Sequence, residues 1–158
     1  MRIVYSDNKI TKDMFNKHTI MLCGPTPRTS DVKSWRPEAL KILEDLKYDG
    51  LVFVPEWSIP ASHIDFTEQV EWERTGLCGC TCIAFWVPRK MGEMPALTTN
   101  VEFGSYLTKR PSAVIYGRPN WAEHCHYLDW LYKKETNRSH LTDLASLLNI
   151  CASWRSAD

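Results

Sequence analysis

The chain has 158 residues, 44% of them hydrophobic, enough for one domain (1–158) with a sizeable core. Lys plus Arg and Asp plus Glu both number 19, so the net charge is zero, which leaves no strong footprint for a nucleic-acid backbone or an anionic membrane. No apolar run approaches the roughly 20 residues of a membrane span, and MRIVYSDNK lacks the basic-then-apolar profile of a secretory signal, so a cytoplasmic location is expected.

MRIVYSDN (1–8) reads as an added edge strand. HTIMLCGP (18–25) is an apolar run closed by Gly-Pro and predicts a buried strand. In RPEALKILEDLKYDG (36–50), Leu40, Leu43 and Leu46 recur at helical spacing, Pro37 suits a first turn and Gly50 a stop. GLVFVPE (50–56) predicts the second buried strand. The loop around SIPASHIDF then leads into TEQVEWERTGL, a helix ending near Gly76. CTCIAFWVP (80–88) is the third strand, and TNVEFGSYLTK opens a helix with Thr99 or Asn100 as N-cap. PSAVIYGRP (111–119) is the fourth strand, and helical segments follow over 122–135 and 141–152.

Near-continuous apolar strands alternating with amphipathic helices predict an α/β fold, a parallel sheet covered by helices on both faces. Ligands of such sheets sit beyond the carboxyl ends of the strands. GPTPR, PEWSIP and VPRKMGEMPALTTN are the loops expected to converge there.

Six cysteines make no disulfide framework at this length. On a strand, the alternating Cys78, Cys80 and Cys82 would share one buried face as small hydrophobes. No CxxC pair or nearby histidine completes a zinc site, so no metal is expected. His63, His124, His126 and His140 read as loop and helix residues. The abundant aromatic rings read mainly as core and subunit interface.

An acid in a first helical turn is commonly structural, stabilised by the macrodipole. Glu102, however, stands past a long loop at the expected ligand edge, with Gly104 allowing close approach. Thr98, Thr99 and Asn100 beside it suit sugar hydroxyls, which fits a carboxylate attacking an anomeric carbon. The first loop, GPTPR, with Gly24, Pro25, Thr26 and Arg28 as candidate binding residues, offers backbone donors, Thr26 and the cation Arg28 to a sugar or phosphate, without a P-loop pattern. Arg36 suits either a ligand or a neighbouring acid. Glu71 and Glu73 diverge on a helix, so at most one faces the pocket.

The series MLCGPTPR, SWRPEAL, LVFVPE, QVEWE, IAFWVPR and MPALTTNVEFG, spanning most of 20–117, resembles the nucleoside 2-deoxyribosyltransferase superfamily. That resemblance implies a flavodoxin-like doubly wound parallel sheet flanked by helices. It implies a glutamate nucleophile in a motif (N/G)-x-E-x-G, matched by Glu102 in NVEFG. It also implies a second acid that organises the site, Glu73 or else Glu71, with Gly24 and Arg28 bordering the sugar and any 5′-phosphate. The implied activity moves a (deoxy)ribosyl group from one base to another base or to water through a glycosyl-glutamate. Two alternatives stand beside it, a 2-deoxynucleoside 5′-monophosphate N-glycosidase and a non-catalytic nucleotide-binding module. A homo-oligomer acting without a cofactor on a nucleoside or nucleotide is expected.

Overall fold

A computed structural model describes residues 1–59 and 65–154. The apolar runs become strands β1 (Arg2–Tyr5), β2 (Thr19–Cys23), β3 (Leu51–Val54), β4 (Cys82–Trp86) and β5 (Val114–Gly117). All pairings are parallel, in the order β1-β3-β2-β4-β5. β2 to β5 are buried at every position because helices cover both faces, whereas the edge strand β1 buries only Val4.

Alternate strand residues supply the two cores. Ile20, Leu22, Val52 and Ala84 meet α1 (Arg36–Asp45) and α5 (Leu144–Ser153) through Leu43, Leu147 and Leu148. Met21, Phe53, Ile83 and Phe85 meet α2 (Phe66–Gly79), α3 (Leu97–Lys109) and α4 (His126–Thr136) through Trp72, Phe103 and Tyr132. This is the expected α/β, flavodoxin-like doubly wound arrangement. An aromatic chain fixes α3 to the sheet: Phe103 lies 5.2 Å from Phe85 and 4.8 Å from Tyr116, centroid to centroid. Such contacts contribute about 0.5–1.5 kcal/mol each beyond area burial.

From β2 the chain crosses to β3, then returns past β2 to β4, so the direction of winding reverses between β2 and β4. The crevice beyond Cys23 and Trp86 is therefore where a ligand belongs.

Several boundaries differ from the sequence expectation. α1 stops at Asp45, not Gly50: Lys47 takes φ 55° and Tyr48 N–H donates to Leu43 O at 3.0 Å, a Schellman end with lysine in the left-handed place. Gly50 serves close approach instead, since a Cβ there would lie 2.3 Å from His18 O. Leu46 is exposed, and Ala39 and Leu43 carry the buried stripe.

α2 runs to Gly79, past Gly76, and this overturns the shared cysteine face. Cys78 is exposed on the helix, Cys80 joins one core, and Cys82, the first residue of β4, joins the other. The helix predicted from Thr99 or Asn100 begins at Leu97 with Ala96 as N-cap in the left-handed region, φ 57°, and no side-chain cap. A 3-10 turn at Lys12–Asn16 had no sequence counterpart. Much of the loop predicted around SIPASHIDF, with His63, lies outside the described residues. Among those described, no helix is long and apolar enough to cross a membrane.

Candidate active site

The loop after β2 is built first by Gly24. Its φ of 151° is poorly tolerated by other residues, and a Cβ would fall 2.0 Å from Trp86 O. Arg36, 1% exposed, then clamps the loop: it donates to Leu22 O (3.1 Å), Gly24 O (2.8 Å), Pro25 O (3.4 Å) and Thr26 Oγ1 (3.1 Å). Its charge is met by Glu56 Oε1 at 2.6 Å, just past β3. Sequence left Arg36 open between ligand and acid; it pairs with the acid and positions the loop.

That loop forms one wall of a cleft of about 270 Å³ at the reversal point. Met21 and Cys23 lie beneath it, Phe66, Gln69 and Glu73 of α2 form a second wall, and residues 95–99 with Glu102 form the third. The structure thus brings together Gly24, Pro25, Thr26, Arg28, Glu73, Thr99 and Glu102. Glu71 is exposed on α2, outside the cleft, as the divergence of Glu71 and Glu73 requires. Asn100 and Gly104 are also outside it, since each lies roughly 200° around α3 from Glu102. Asn100 instead accepts a hydrogen bond from Arg89.

Because α3 starts at Leu97, Glu102 falls in its second turn, and the first-turn reading of this acid is corrected. Burial pushes the Glu102 carboxyl up to about 8; the negative charge of Glu73 and a hydrogen bond with Glu73 push the same way, and Arg36 opposes them. Near neutral pH Glu102 therefore holds its proton.

Glu73 is oriented from behind. Gln69 Nε2 donates to Glu73 Oε1 at 2.7 Å, and Trp57 Nε1 donates to Gln69 Oε1 at 3.2 Å. An indole N–H only donates, so Gln69 must offer Trp57 its oxygen and Glu73 its amide hydrogens. Sequence reading missed Gln69 and Trp57. The i,i+4 spacing of Gln69 and Glu73 was the available signal, while the reach of Trp57 from the loop after β3 left none.

Arg28 is the exposed cation at the mouth, and it forms no ion pair among the described residues. Phe66, 80% exposed, offers an apolar ring at the same opening. No protein-family model matches the chain, and no curated protein matches it in sequence. Fold and cleft define a class only: an α/β doubly wound protein with two facing carboxyl groups at its topological switch point.

Proposed function

We propose that the protein cleaves the N-glycosidic bond of a nucleoside or nucleotide and transfers the (deoxy)ribosyl group to a second base or to water. The observation that carries this reading is the Glu102–Glu73 pair at the wall of an open cleft, where burial and Glu73 raise the Glu102 carboxyl to about 8. Glycosyl transfer with a covalent intermediate needs one carboxylate to attack carbon and one carboxylic acid to protonate the leaving group.

The proton passes from Glu102 to Glu73 as substrate binds. The freed Glu102 oxygen then forms a bond to C1 of the sugar while the C1–N bond breaks. Its electron pair stays on the base, which takes the proton from Glu73. A second base or water then attacks C1, gives its proton to Glu73, and releases Glu102. Gln69 keeps Glu73 turned toward Glu102 throughout. Phe66 offers a stacking face for the base.

Arg28 favours a second, narrower reading, a 5′-monophosphate N-glycosidase, because an exposed cation at the mouth, without an ion pair among the described residues, suits a phosphate. The test is chromatography of free base released from 2′-deoxynucleosides and their 5′-monophosphates, with and without an acceptor base. Wild type should release or exchange base, and Glu102→Ala should lose at least a thousandfold. Full activity in Glu102→Ala would remove Glu102 as nucleophile, as would a covalent sugar adduct mapped elsewhere by mass spectrometry.

A further inference from the structure

On the side of α3 away from Glu102, a second cavity of about 180 Å³ opens between α3 and α4. Arg89, just beyond β4, lines it and is 3% exposed. Its Nη1 donates to His124 O at 2.7 Å and its Nη2 to Asn100 Oδ1, both neutral acceptors. Its Nε is buried without a hydrogen-bond partner among the described residues. Among the described residues no carboxylate pairs with Arg89, whereas Arg36, the other arginine buried to that degree, is paired with Glu56. The nearest acids in sequence are engaged: Glu93 pairs with Lys90, and Glu123 accepts from the Met91 N–H at 2.7 Å.

A buried cation with only neutral partners is costly, and the cost is relieved by an anion. The rest of the lining is largely apolar, with Phe103, Tyr127, Leu128 and Leu131. An apolar cavity of about 150 Å³ holds a benzene ring, so this one accommodates a ring bearing a single small anionic group. At Gly104 an added Cβ would meet nothing within 4 Å, so the helix surface there is open space. We propose that the α3–α4 cavity binds a small amphipathic carboxylate, its charge on Arg89 and its apolar body against Leu128 and Leu131.

The site is independent of the glycosyl-transfer reading and is tested without any activity assay. Benzoate is titrated into the full-length protein by calorimetry, with benzamide as the neutral isostere. Saturable benzoate binding is expected, weakened at least tenfold for benzamide, for Arg89→Met, and for Gly104→Leu, which fills the cavity. Arg28→Ala should bind benzoate as wild type does. The proposal fails if wild type shows no saturable binding, if benzamide binds equally well, or if the folded Arg89→Met or Gly104→Leu protein keeps full affinity. It also fails if Arg28→Ala loses binding, since the ligand would then sit in the other cleft.

Discussion

Glu102 has a titration that can be followed through both stability and catalysis. An unfolded chain releases the Glu102 proton near pH 4.5, and the folded chain holds it to about 8. Below pH 4.5 both states are protonated and the group contributes nothing. Between those values the folded state binds more proton, so stability falls as pH rises, and above about 8 the whole cost of a desolvated charge is present. A difference of that size corresponds to at most about 5 kcal/mol, and the open cleft reduces it to about 2 kcal/mol. Glu102→Gln removes the titration, so it should be more stable than wild type by about 2 kcal/mol at pH 9 and by nearly nothing at pH 4.5. Urea denaturation at the two pH values checks this; equal gains at both would mean that the carboxyl is not desolvated. Activity depends on that proton in the same direction. The pair must hold one proton to protonate the leaving base, so kcat/KM should fall as pH rises through about 8, an apparent value belonging to the pair. A rate that climbs through pH 8 would show that the fully ionised pair is the active form. At the mouth, Arg28→Ala should raise KM for 5′-monophosphates several-fold more than for nucleosides. Equal losses would remove the phosphate role.

Elements were legible where hydrophobic pattern dictates them and not where tertiary contacts do. The four long apolar runs were read as buried strands because each is covered on both faces, and even the short β1 was readable as an edge. The start of α3 was misread because Thr99 and Asn100 have cap chemistry, yet Thr99 is buried against the cleft and Asn100 is held by Arg89. The cap fell to Ala96, which has no cap chemistry and sits at φ 57°. The cysteine alternation misled for a similar reason, since α2 extends until the strand can start at Cys82. The Ala96 conformation has a measurable consequence. A left-handed residue with a Cβ costs about 1–2 kcal/mol, so Ala96→Gly should stabilise the protein by about 0.5–1 kcal/mol once the roughly 0.4–1 kcal/mol of glycine's greater unfolded-state freedom is subtracted. The urea midpoint reads the change, and a destabilised Ala96→Gly would argue against a left-handed backbone at this position.

At the scale of the molecule, the winding order explains why distant segments meet. Gly24 to Arg28 follow β2, Glu73 lies on α2 and Glu102 on α3, and only the reversal between β2 and β4 places them around one crevice. That the loops after β2 and β4 converge was legible from the alternation of strands and helices; the order of strands that makes the crevice was not. The Trp57–Gln69–Glu73 chain was not, because its links depend on how far α2 leans over the loop after β3. The same topology predicts where a ligand leaves its mark. Glu102→Gln should bind a deoxynucleoside 5′-monophosphate without turning it over. At a hundredfold excess over Kd, such a ligand adds about 2.7 kcal/mol of stability. For a chain of this size that corresponds to a rise in Tm of about 5–10 °C. Amide hydrogen exchange under the same conditions should slow at Gly24, Thr26 and Arg28 and in residues 96–99, which line the cleft. The edge strand β1 and the α1–α5 layer contribute little or nothing to its walls, so they should gain only the small protection that global stabilisation confers on all slow amides. Protection concentrated in β1 or in the α1–α5 layer, with none at 24–28, would place the ligand off the switch point. The functional reading would then lose its site even if base release were observed.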